Sequence, residues 1–226
     1  WILEASACLN QVIADDAASH HLIAVDAWHA DPDRRAAGVR TMRPELMQPS
    51  LECVQEWHRV NPHLALKLAP AVRPDPEWFP QAEWEWLGYD RQCLQLVGWC
   101  GDLARAPGRH VATLLDQHGA VHSLVGSPQV SPRAVSCLDV IMDPHPAVVA
   151  AQLIGPLAEQ LHALRLGRDS SLLTCSQCVP SPLGQWFRTV DMIPFDLKQV
   201  RRWLRRNDVG QVEVKCRGTR PGANQL

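Results

Sequence analysis

A charged cluster at residues 31–35, Asp-Pro-Asp-Arg-Arg, directly follows the apolar run of residues 22–30. An apolar run that stops at turn-forming residues is typical of a buried strand, and open α/β sheets bind ligands at the carboxyl ends of their strands. Asp31, or the carbonyl beside the proline, could accept a hydrogen bond from a substrate amino group, while Arg34 and Arg35 could bind phosphate or carboxylate. The alternative is a strand-terminating turn with two solvated arginines.

Lys67 is a second candidate, because it interrupts the apolar run of residues 64–69. A charge in a buried strand is costly unless it is paired or lies near the strand end. Lys67 could therefore line a substrate cleft. Alternatively, its stem is buried and its ammonium reaches solvent at an edge.

The elements that position these residues follow from the hydrophobic pattern. Residues 44–60 have apolar side chains at helical spacing between the two apolar runs, which predicts a strand–helix–strand crossover with parallel strands. Three shorter segments, residues 83–86, 93–99 and 111–115, are separated by glycine-containing turns and predict antiparallel hairpins. We therefore expect a mixed sheet. Alternation places two tryptophans of residues 83–86 on one face, where core packing is favoured.

The Gly-Ser-Pro-Gln-Val-Ser-Pro segment at residues 126–132 has the composition of a linker. It predicts an α/β domain over residues 1–127 and a small α+β domain over residues 128–226.

The second domain has its own predicted elements. A helix is expected over residues 146–166, which the Gly-Pro pair at 155–156 could kink or split. A strand at 186–193, a helix at 196–206 and a strand at 212–216 follow.

The last helix and strand are strongly basic. They hold eight basic residues against two acidic ones, a local net charge of +6. The basic residues are Lys198, Arg201, Arg202, Arg205, Arg206, Lys215, Arg217 and Arg220. An apolar stripe leaves the four helical arginines on the outer faces, where they could contact RNA phosphates. A solvated basic face is the alternative.

Composition excludes several classes of protein. With 226 residues, 46% of them hydrophobic, and nine tryptophans, the chain can build a sizeable core. No stretch approaches the roughly 20 apolar residues of a transmembrane helix. Eight cysteines are too sparse for a small disulfide scaffold, so we expect reduced thiols and a cytoplasmic location. The pair Cys175 and Cys178 permits a thiol-redox interpretation, without the context typical of one.

Several motifs, taken in order, resemble those of a known family. They are Asp-Pro-Asp-Arg-Arg (31–35), Gly-Val-Arg (38–40), Arg-Pro-Glu-Leu (43–46), Lys-Leu-Ala-Pro (67–70), Glu-Trp-Glu-Trp (83–86), Asp-Pro-His-Pro-Ala-Val-Val (143–149), and the segments at 193–202 and 212–218. Together they resemble the latter half of class I S-adenosylmethionine-dependent methyltransferases that carry a C-terminal THUMP-like domain. The fold that this implies is the C-terminal part of a Rossmann-like mixed sheet followed by a small α+β THUMP-like domain.

The resemblance also implies site residues. Asp31, Pro32, Arg34 and Arg35 occupy the place where amino-methylating relatives carry an Asn/Asp-Pro-Pro-aromatic motif, although no aromatic residue follows the proline here. The glycine-rich cofactor loop does not occur in this chain, which begins at Trp1 and is expected to lack the start of the methyltransferase domain. Asp15 or Asp16 is the implied contact near the adenine of S-adenosylmethionine.

Two functions remain open on this basis. The first is a methyltransferase acting on RNA, with S-adenosylmethionine as cofactor, Asp31–Arg35 at the acceptor, and Lys67, the four arginines of residues 201–206 and Lys215 binding substrate. The second is a catalytically inactive methyltransferase-like scaffold that binds RNA or protein.

Overall fold

The computed structural model describes residues 25–35, 38, 41–167 and 170–215. Its larger sheet has six strands in the order β1-β2-β4-β3-β5-β6. They are β1 (Trp28–Ala30), β2 (Leu64–Leu68), β3 (Glu83–Tyr89), β4 (Gln92–Trp99), β5 (His110–Leu115) and β6 (Val121–Gly126). Parallel and antiparallel pairs both occur, so the predicted mixed α/β architecture is confirmed.

The predicted crossover unit is present, with a shorter helix. Strands β1 and β2 are parallel, and helix α1 (Leu51–Val60) connects them. Helix α1 begins after Ser50, whose hydroxyl accepts a hydrogen bond from the Cys53 amide. Residues 44–46 form a separate 3-10 turn, and Met47 is extended. The predicted start at residue 44 is therefore wrong, because extended backbone separates the two helical segments.

One predicted hairpin is also wrong. Strands β3 and β4 form an antiparallel hairpin, but β4 pairs with β2 along its other side. Since β4 has no free edge, β5 pairs in parallel with β3 instead, and β6 then pairs antiparallel with β5.

Trp84 and Trp86 lie in the core, as the alternation predicts. Trp86 has no exposed surface, and its indole N–H donates to the carbonyl of Pro70 at 3.1 Å. Leu66 and Leu96, which point to the same face, are 1% and 0% exposed. Lys67 and Glu85 both pair with Val97, so they lie on the opposite face.

The second sheet has four strands, all antiparallel, in the order β10-β7-β9-β8. Its strands are β7 (Val140–Pro144), β8 (Leu164–Arg165), β9 (Leu173–Cys175) and β10 (Gly184–Arg188). Helices α2 (Pro146–Ala150), α3 (Ile154–Gln160) and α4 (Leu197–Arg206) accompany it.

The helix predicted over residues 146–166 is two helices followed by a strand. The break falls at Gln152, which has a φ of +60°, and not at the Gly-Pro pair. That pair lies in the first turn of α3, where proline costs little because the amide N–H of the first turn has no partner within the helix. The final residues of the prediction belong to β8.

The last predicted elements have mixed outcomes. Helix α4 is confirmed, and Asp196 caps it by accepting the Gln199 amide at 2.8 Å. The predicted strand at 186–193 lies instead at Gly184–Arg188, and residues 212–215 form no strand.

Helix α2 packs on the core face of the larger sheet. Val148 and Leu157 belong to the same hydrophobic cluster as Trp86. Gly88 approaches His145 so closely that an added Cβ would lie 2.4 Å from the imidazole Cε1. The core is thus continuous across residue 127, and the domain boundary there stays a prediction. Among the residues described, no helix is long and apolar enough to cross a membrane.

Candidate functional site

The structure brings two candidate residues, Asp31 and Lys67, together. In the parallel pair of β1 and β2, Ala30 lies opposite Leu66. Asp31 directly follows Ala30, and Lys67 directly follows Leu66. The Lys67 Nζ donates to Asp31 Oδ2 at 2.5 Å. Both side chains remain accessible, with exposed fractions of 41% for Asp31 and 38% for Lys67. The ion pair is therefore accessible to solvent at the carboxyl edge of the sheet.

The backbone after Asp31 is held in place. Pro32 is buried, and Asp33 and Gln48 exchange two backbone hydrogen bonds of 2.8 and 3.0 Å. The Asp33 carboxylate also accepts the amide of Arg35 at 2.9 Å, which closes a tight turn. This turn fixes where the chain leaves the end of β1.

The same turn presents Arg34 and Arg35. Arg34 is half-buried and Arg35 is exposed. The Arg34 carbonyl accepts the Thr41 amide at 2.8 Å, and the Arg35 carbonyl accepts the Gly38 amide at 2.7 Å. Within the described part of the chain, neither guanidinium forms an ion pair, so both can bind an anion from outside.

The edge thus combines the accessible Asp31 carboxylate with three cations, Lys67, Arg34 and Arg35. Lys67 engages one oxygen of Asp31, and the other oxygen can accept a hydrogen bond from a ligand N–H or O–H. Arg34 and Arg35 can bind phosphate or carboxylate beside it. Across residues 25–35, 38, 41–167 and 170–215, no group of three or more His, Cys, Asp or Glu could hold a metal ion.

The predicted cofactor contacts, Asp15 and Asp16, lie outside the described residues. The described strand ends carry no glycine-rich loop that would hold a nucleotide. The residues that the structure describes therefore do not by themselves form a nucleotide site of this kind.

Helix α4 carries the predicted basic surface. Arg201, Arg202, Arg205 and Arg206 are all exposed, and no residue of the helix is buried. Its apolar side is only half-buried. The indole N–H of Trp203 donates to Asp191 at 2.5 Å, which ties the helix to the segment that precedes it.

Lys215 lies in a different environment from the α4 arginines. It forms an ion pair with Asp143 and lies 5.4 Å from the centre of the Phe187 ring. Asp143 also accepts a hydrogen bond from Arg91 at 2.8 Å. Sequence reasoning missed Arg91, which follows Asp90 in the β3–β4 turn and carries no motif of its own.

The polar face of the larger sheet contains a second network that sequence reasoning did not assign. Glu85 accepts hydrogen bonds from Trp99 at 2.8 Å and Thr113 at 2.6 Å, and Glu83 accepts the Ala106 amide at 2.5 Å. These side chains line a cavity of about 370 Å³. The alternation of residues 83–86 was the available signal, because it places both glutamates opposite the core tryptophans.

The two cysteines of the possible redox pair differ. Cys175 is buried, and burial raises the pKa of its thiol. Its sulfur donates to the Gln177 carbonyl at 2.9 Å, whereas Cys178 is exposed. A thiol that is held protonated is a poor nucleophile, so this geometry argues against redox chemistry.

Comparisons with known proteins give a family match at the C-terminal end of the chain. A sequence profile of the family described as THUMP domain-like matches residues 184–226, which include β10 and α4. A comparison with curated proteins gives no match.

A similar fold occurs in a crystal structure from Porphyromonas gingivalis W83, of a protein provisionally named a methyltransferase. The TM-score is 0.63 and the sequence identity is 18%. The match covers 80% of this chain and 47% of that one, so the chain spans about half the length of its structural neighbour. At this identity the likeness establishes the fold.

Proposed function

We propose that this chain forms the acceptor edge and the RNA-binding part of an S-adenosylmethionine-dependent methyltransferase acting on RNA. The observation that carries the proposal is the solvent-accessible Asp31–Lys67 pair at the carboxyl edge of the sheet, with two arginines that have no described ion-pair partner beside it. The fold shared with the structural neighbour and the THUMP-like match support it.

The residues of the edge have separate roles in this proposal. The free oxygen of Asp31 accepts a hydrogen bond from an N–H or O–H of the acceptor group, which orients that group. Arg34 and Arg35 bind a neighbouring phosphate, and the buried Pro32 fixes the backbone between Asp31 and these arginines. When bound, S-adenosylmethionine supplies the methyl group. The predicted contacts Asp15 and Asp16 belong to that half of the site.

The exposed arginines of α4 bind the RNA backbone. Phosphate contacts by arginine supply affinity without reading sequence, so α4 would dock many RNAs while the edge at Asp31 selects the acceptor. Lys215 contributes less directly, because its ammonium is engaged by Asp143.

The first test is methyl transfer. The uninterrupted natural protein is incubated with methyl-labelled S-adenosylmethionine and total cellular RNA, beside its Asp31→Ala and Asp26→Ala variants. Asp26 is exposed and lies before β1, so it serves as the matched control. We expect label in RNA from wild type and Asp26→Ala and a large loss with Asp31→Ala. Full transfer by Asp31→Ala would overturn the assignment of the acceptor edge.

A second candidate function is an inactive methyltransferase-like scaffold that binds RNA. The observation that favours it is that Lys67 already engages one oxygen of Asp31. Calorimetry of the natural protein with S-adenosylmethionine separates the two functions. A scaffold shows no cofactor binding and no label transfer, yet it keeps its affinity for RNA.

A further inference from the structure

Lys67 lies on an interior strand of the larger sheet. Strand β2 pairs with β1 on one side and with β4 on the other, where Lys67 lies opposite Val97. The flanking residues Leu66 and Leu68 are 1% and 4% exposed. The ammonium therefore extends from a strand that is fixed on both sides.

Asp31 is in the opposite situation. It lies just past the end of β1, which is three residues long and is the edge strand among those described. Its side chain is 41% exposed and accepts only the bond from Lys67 among the described hydrogen bonds. Without that bond, nothing described restricts the rotation of the carboxylate.

Stability gives little reason for this arrangement. An exposed ion pair contributes about 0–1 kcal/mol, whereas a lysine in a central strand carries a desolvation cost. The ammonium donates to Oδ2 at 2.5 Å, which leaves Oδ1 without a described hydrogen bond.

We propose that Lys67 is a positioning residue that acts through Asp31, holding its carboxylate so that a single oxygen faces the acceptor. This inference rests on the proposed function. In this inference Lys67 acts on the acceptor through Asp31 and not by direct contact. The effect of Lys67 on transfer therefore depends on the presence of the Asp31 carboxylate.

A double-mutant cycle in the natural protein tests this dependence. Lys67→Met keeps the length of the stem and removes the ammonium, Asp31→Asn removes the charge of the carboxylate, and the double variant combines the two. Lys67→Arg restores a cation, and Arg73→Met removes an exposed cation elsewhere in the same sheet region as the control. The measurements are kcat and KM for transfer to RNA, cofactor affinity and Tm.

We expect Lys67→Met to lower kcat by about 10–100-fold, because a misplaced reacting group loses about this much rate. KM, cofactor affinity and Tm should stay close to wild type, and Lys67→Arg should recover part of the rate. In the Asp31→Asn background, Lys67→Met should have no further effect. Arg73→Met should behave as wild type.

Other outcomes overturn the inference in distinguishable ways. Unchanged kcat in Lys67→Met, or additive losses in the double variant, would mean that Lys67 does not act through Asp31. If Lys67→Met loses activity while Asp31→Asn keeps full activity, Lys67 again does not act through Asp31, although the protein is still shown to transfer methyl groups. No transfer by the wild-type protein would overturn the proposed function as well. If Lys67→Met fails to fold, Lys67→Gln replaces it in the cycle.

Discussion

Two carboxylates in this protein bind cations from distant parts of the chain, and they differ in burial. The side chain of Asp143 is 12% exposed and is paired with both Arg91 and Lys215. The side chain of Asp31 is 41% exposed and, among the residues that the structure describes, is paired with Lys67 alone. A buried carboxylate with two cations holds chain segments together, whereas an exposed one with a single cation keeps an oxygen for a ligand. The comparison therefore separates a structural cluster from a candidate site of the same chemistry.

Asp143 has a structural role, because the residues it binds come from separate segments of the chain. Arg91 comes from the β3–β4 turn, where it has a φ of +66°, and it also donates to Gln185 of β10 at 2.6 Å. Lys215 comes from the segment after α4, which has no regular structure up to residue 215. Asp143 thus connects the larger sheet, the smaller sheet and the C-terminal segment.

The largest difference between the two carboxylates should be in their contribution to the free energy of unfolding. Asp143→Ala leaves two cations close together without their carboxylate, and we expect it to lower the free energy of unfolding by about 2 kcal/mol, the range for hydrogen bonds to charged groups. Asp31→Ala should change it by less than about 1 kcal/mol. Urea denaturation of both variants is the measurement. Equal losses in the two variants would remove the distinction between the clusters.

The second prediction is that the free energy of unfolding falls in acid, because two histidines become protonated. Burial lowers the pKa of His145, with Arg91 adding to the shift, and burial also lowers the pKa of His110. Because these histidines bind protons more readily in the unfolded state, their neutral forms stabilise the fold above pH 6.5 and that stability is lost as the pH falls below it. The imidazole of His145 packs against the backbone of Gly88, where an added Cβ would lie 2.4 Å from its Cε1.

Urea denaturation at pH 7.5 and at pH 5.5 measures this loss. His145 Nδ1 accepts the Ala147 amide at 3.1 Å, a bond that an asparagine oxygen can replace at the start of α2. His145→Asn should therefore reduce the pH dependence of stability. A pH dependence equal to that of wild type would show that His145 does not contribute to it.

The sequence predicts the framework of the fold better than its details, for physical reasons. Periodicity places Trp84 and Trp86 in the core and predicts a helix at residues 196–206, where α4 lies, because the spacing of apolar residues is a local signal. The pairing of β5 with β3 is not local. It follows from β4 being paired on both sides, which no single segment encodes.

The candidate site shows the same limit. The sequence identifies Asp31 and Lys67 separately, because each breaks the pattern of an apolar run. Their contact depends on the register of β1 and β2, which are 36 residues apart at this point. Arg91 and Asp143 lie 52 residues apart on different sheets, so no spacing predicts their ion pair.

Substitutions in helix α4 should have the smallest effect on stability and a clear effect on RNA binding. Arg205 and Arg206 are exposed at the last turn of a helix with no buried residue, so Arg205→Ala/Arg206→Ala should change the free energy of unfolding by only about 0.5 kcal/mol. If both arginines contact phosphates, the plot of log affinity for RNA against log salt concentration becomes shallower by about two. The matched control is Arg59→Ala/Arg73→Ala, which removes two exposed arginines from the region of the larger sheet and should keep the wild-type slope. A wild-type slope in both double variants would show that Arg205 and Arg206 make no phosphate contacts, and the RNA-binding role of the last turn of α4 would be wrong.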